Sequence, residues 1–127
     1  MKTSDTPGEA PDDFCSMLAK CLGTKEPELS PEQAAEEANL VNSQGLQFNA
    51  RGDALQALQC FYKAAMLCPL QNRYLLSAGN MHLKLNEAEA ARCIYEWLLT
   101  LPLADKEVTV AQAKLEEAIA MVNELDN

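Results

Sequence analysis

The residues of this chain with types suited to covalent or metal chemistry are few and scattered. There is one histidine, His82, and five cysteines, at positions 15, 21, 60, 68 and 93. A zinc site draws its ligands from Cys, His and carboxylates, commonly with cysteines in C-x-x-C pairs, and the sequence has no such pair and no second histidine. A nucleophilic Ser or Cys needs a base, and none stands convincingly near in sequence. His82 is therefore expected to pack between helices, and the cysteines to be reduced and mostly packed. No catalytic residue, metal ligand or cofactor is expected, and an enzyme is the least expected class.

The elements that must position any binding residues are helical. The chain has 127 residues, 48% hydrophobic but only 6% aromatic, which suits one compact domain. A net charge of -9 opposes binding to nucleic acid or to an anionic membrane. No apolar run approaches a membrane span, and the leading MKTSDTPGEAPDD lacks the apolar core of a secretory signal, so a cytoplasmic location and no membrane insertion are expected.

Residues 1–29 read as an acidic flexible arm. Four of the six prolines and six acidic residues fall in the first 31 positions. Within the arm, Phe14, Leu18 and Leu22 at i, i+4 and i+8 would form a short amphipathic helix able to dock on the domain or on another copy. Regular helix is expected to start at SPEQ, with Ser30 as cap, Pro31 in the first turn and Gln33 completing a capping box. Helices follow at about 31–50, 53–67, 71–85, 87–101 and 105–125, and no strand pattern competes.

Two glycines interrupt these helix-rich stretches. A glycine inside a helix costs roughly 1 kcal/mol against alanine, so each needs a reason. Gly52, before Asp53, reads as a left-handed residue closing a helix; Gly45 lies within an apolar stripe and would let a neighbouring helix approach closely. A shift of 34 residues aligns Val41 with Leu75, Gly45 with Gly79, Gly52 with Asn86, Ala57 with Ala91, Phe61 with Tyr95 and Leu67 with Leu101. Asn86 replaces Gly52 with the other residue that tolerates a left-handed backbone.

With Pro69 and Pro102 closing the two copies, the pattern resembles the tetratricopeptide repeat, a helix-turn-helix unit, over residues 38–103. Val41 and Gln44 stand where that family usually has tryptophan and leucine, and His82 stands at an aromatic position. The resemblance implies an all-α, right-handed superhelical stack in a domain of residues 30–127. Its repeats would span about 38–71 and 72–104, and a capping helix about 105–125. In VTVAQAKLEEAIAMV, Ala113 follows Gly79 at the same 34-residue spacing, and no second helix follows.

The resemblance also implies that the first helix of each pair lines a concave groove, here through Asn39, Asn42, Leu46 and Asn49, then Arg73, Leu76, Asn80 and Leu83. Amides to hold a backbone and apolar pockets for side chains are what an extended peptide requires. Repeats that clamp the acidic tails of heat-shock proteins carry lysine and asparagine where Asn42 and Leu46 stand, so that clamp is absent. RYLLSAGNMHLKLNEAEAARCIYEWL, with the small size and acidity, resembles the tetratricopeptide chaperones of bacterial type III secretion. This implies a client, a translocator or needle-type subunit, held by an extended segment, and a homodimer through the N-terminal segment. The competing reading is an adaptor or scaffold subunit of a larger cytosolic assembly.

Overall fold

A capping box opens the first helix in the computed structural model, which describes residues 29–126. Ser30 Oγ accepts from the Gln33 N–H at 3.1 Å, and Gln33 Oε1 accepts from the Ser30 N–H at 3.0 Å, satisfying two donors that a helix start would otherwise leave unpaired. Helix α1 spans Pro31–Ala50, α2 Ala54–Leu67, α3 Asn72–Lys84, α4 Ala88–Leu98 and α5 Asp105–Asp126. The described residues are all-helical, with no strand. The expected acidic arm, its Phe14–Leu22 helix and its role in dimerisation fall almost wholly outside the described residues.

The turns between paired helices follow backbone chirality. Gly52 has φ +83 and Asn86 has φ 62, the left-handed conformation that glycine and asparagine accept most readily. Asp53 then caps α2 by accepting from the Gln56 N–H at 3.2 Å. Helix α4 ends at Leu98 rather than near 101. Thr100 Oγ1 donates to the Trp97 carbonyl at 2.6 Å, and Pro102 disfavours helical geometry at the residue before it.

Packing repeats with the sequence. An added Cβ at Gly45 would lie 2.8 Å from Phe61 Cε1, and one at Gly79 would lie 2.6 Å from Tyr95 Cζ. In each pair a glycine admits the aromatic side chain of the following helix, and Ala57 and Ala91, both fully buried, keep the same interfaces narrow. Phe61, Tyr62, Tyr74, Ile94, Tyr95 and Leu98 fill the core, each apolar side chain worth about 1.5–3 kcal/mol on burial. Each helix packs on its neighbour in sequence, and α3 also packs on α5.

Helix α5 buries Ala111 and Ala118 against the preceding helices, whereas Ala113 is exposed. Ala113 shares the repeat position of Gly45 and Gly79, which are buried by the second helix of their own pairs. No second helix follows α5 among the described residues, so this position has nothing to cover it.

Candidate functional site

The face shared by α1 and α3 is stitched by polar side chains at repeat spacing. Arg73 donates to Asn39 Oδ1 at 3.0 Å and to the Tyr74 hydroxyl at 3.1 Å, and Tyr74 in turn donates to Asn39 Oδ1 at 3.3 Å. The guanidinium also lies over the Tyr74 ring, 4.9 Å from its centroid. Farther along the seam, Lys84 Nζ donates to Asn49 Oδ1 at 2.7 Å. Arginine and lysine are donors only, so both asparagines must present Oδ1 to the cation and keep the Nδ2 donors for another partner.

Between these two links the same face of α3 carries Leu76, Ser77 and Asn80. With Tyr95 of α4 and Val110 and Lys114 of α5 they line an open cleft of about 200 Å³. Tyr95 donates its hydroxyl to the Leu76 carbonyl at 3.2 Å, and burial, with a smaller contribution from the charge of Glu117, holds its phenol protonated well above the usual range. Lys114 Nζ stands 3.6 Å from Glu117 Oε1, a partly exposed pair.

The structure therefore brings together Asn39 with Arg73, and Leu76 with Asn80. Leu46 is 52% exposed and Asn42 half-buried on α1. Leu83 is a correction: it is 6% exposed and belongs to the core. Consecutive residues of a helix lie about 100° apart, so with Lys84 on the open stripe three turns beyond Arg73, Leu83 faces toward the covered side of α3. Leu46, Leu76 and Leu83 are thus an exposed, a half-buried and a core leucine, not three equivalent groove contacts.

Sequence reasoning missed Ser77, Lys84, Tyr95, Val110 and Lys114. The signal for two of them was present, since Val110 and Lys114 follow Leu76 and Asn80 at the repeat spacing. Ser77 and Lys84 share the helical stripe of Arg73 and Asn80.

A second polar centre lies inside. His82, 4% exposed, receives the Tyr62 hydroxyl at Nε2 and meets Glu87 Oε1 at Nδ1, both at 2.7 Å. An ionised carboxylate only accepts, so Nδ1 carries the proton and Nε2 accepts from Tyr62 when the ring is neutral. Glu87 occupies the repeat position of Asp53, and its carboxylate turns to His82 and makes no cap for α4. The chain ties α2, α3 and the start of α4 together, and His82 packs between helices.

Cys60, Cys68 and Cys93 carry no disulfide. Among the described residues no group of His, Cys, Asp and Glu is arranged to hold a metal ion, and no helix is long and apolar enough to cross a membrane. Comparison with protein-family models, with curated proteins and with solved structures gives no match to this chain.

Proposed function

We propose that the chain is a non-catalytic protein-binding module of tetratricopeptide type, acting as a chaperone of type III secretion. It would hold an extended segment of an export client, a translocator or needle-type subunit, on the face made by α1, α3 and α5. The observation that carries this reading is the cleft in which the repeat continues across helices: Leu76 and Asn80 of α3 meet Val110 and Lys114 of α5, the residues one repeat later. A surface that offers equivalent side chains at regular intervals suits a partner that is itself a regular, extended chain. The assignment to secretion rests on the resemblance of residues 73–98, and an adaptor would use the same face for a permanent partner.

Leu46→Glu tests the reading. The side chain is half exposed, so the fold should survive, while a carboxylate set against an apolar anchor should abolish co-purification with the client. Leu55→Glu, on exposed α2 surface, is the control and should retain it. A folded Leu46→Glu protein that keeps its client in full would move binding to another face, and a partner that stays in one permanent assembly would favour the adaptor.

A further inference from the structure

The cations along α3 point to the chemistry of the segment that this face receives. The chain carries 19 acidic and 10 basic residues, and two of its described cations find carboxylates: Arg92 bridges Glu89 and Glu96, and Lys114 stands by Glu117. Arg73 and Lys84 differ. Their side-chain hydrogen bonds go to the neutral amide oxygens of Asn39 and Asn49 and to the Tyr74 hydroxyl, which fix the cations without compensating their charge. The amides left over, Asn39 Nδ2 and Asn49 Nδ2, are donors as well. The two ends of this stripe thus offer positive charge and N–H groups, and between them lies the cleft walled by Leu76, Tyr95 and Val110.

We infer that the partner segment is acidic, with two carboxylates about four residues apart on either side of an apolar residue. This rests on the peptide-binding reading above and names its substrate class. Arg73 and Lys84 lie three turns apart on one helix, about 16 Å along its axis. In an extended strand, residues i, i+2 and i+4 face the same way and i to i+4 spans about 13 Å, a difference the flexible lysine side chain covers. The outer two side chains meet the cations, and the middle one enters the cleft. Because Arg73 is already held by three groups, little freedom is lost when a carboxylate arrives.

The test is fluorescence anisotropy with the full chain and two labelled peptides sharing Gly/Ser flanks, one with the core Glu-Ser-Leu-Ser-Glu and one with Gln-Ser-Leu-Ser-Gln. The glutamate peptide should bind about tenfold tighter or more, with the advantage shrinking as salt rises. R73Q/K84Q should erase that advantage, and K63Q, which removes an exposed cation of α2, should leave it intact. Equal binding of the two peptides to the parent chain overturns the inference whatever the variants do, as does an equal loss in K63Q. If the two peptides bind equally and Leu46→Glu abolishes both, the acidic preference falls while the peptide-binding reading stands; if neither peptide binds, both fall. Tighter binding of the glutamate and the glutamine peptide alike after Asp5, Glu9, Asp12 and Asp13 are changed to amides would make this chain's own N-terminal segment the occupant and overturn the assignment to a partner.

Discussion

Replacing Gly45 by leucine sets two effects of known size against each other. Leucine favours a helix interior over glycine by roughly 1 kcal/mol, so on an open face the change would stabilise α1. At Gly45 the first added carbon already stands 2.8 Å from Phe61 Cε1 and 3.1 Å from Cys60 Cβ. The Cys60 atom is tied to the backbone of α2, and Phe61 is fully buried, so neither can withdraw without moving the helix. Overpacking of this kind costs about 1–3 kcal/mol for a few methylenes and more where the backbone must shift, so the steric cost exceeds the propensity gain. A net loss of about 2 kcal/mol should lower Tm by roughly 8–16 °C in a domain of this size. Thermal melting by circular dichroism reads it, with Gln44→Leu on the exposed face of α1 as the control for an added leucine side chain. Combining Gly45→Leu with Phe61→Ala should show a coupling of about 0.5–3 kcal/mol, since each change makes room for the other. A Gly45→Leu protein that melts at or above the parent, with the control behaving normally, would refute the close approach of α1 and α2.

Three further outcomes follow from the geometry. Tyr62→Phe leaves His82 Nε2 buried without its donor and should cost about 1–3 kcal/mol in chemical denaturation, whereas Glu87→Gln at the half-exposed end should cost less. At the left-handed turns the signs should differ, Asn86→Gly being neutral to stabilising and Gly52→Ala destabilising by about 1 kcal/mol, as equilibrium unfolding of both variants will show. Tyr95 keeps its proton in the folded state above the ordinary phenol value of about 10, so its contribution is complete below pH 10. Above that the unfolded chain ionises while the folded one does not, and stability should fall with rising pH, less steeply in Tyr95→Phe.

The five helices from Pro31 onward, the capping box at Ser30 and the positive-φ turns at Gly52 and Asn86 were legible in the sequence because each depends on a few adjacent residues and on backbone sterics. The close contacts at Gly45 and Gly79 were legible as well, through the 34-residue shift, since a repeated spacing forces repeated packing. Tertiary structure decided the rest. Periodicity marks a face of a helix, but the angle at which a neighbour covers it separates residues one step apart: Leu83 enters the core while Lys84 reaches Asn49. Ala113 matches the buried glycines in sequence and is exposed because no helix follows to cover it among the described residues. His82 shows the same dependence. Its type marked it only as a buried polar residue, and the hydroxyl and carboxylate that satisfy it come from Tyr62, twenty residues before it, and from Glu87, beyond the turn that ends α3. Pattern along a chain is local, whereas burial and hydrogen-bond partnership belong to the elements that meet in space.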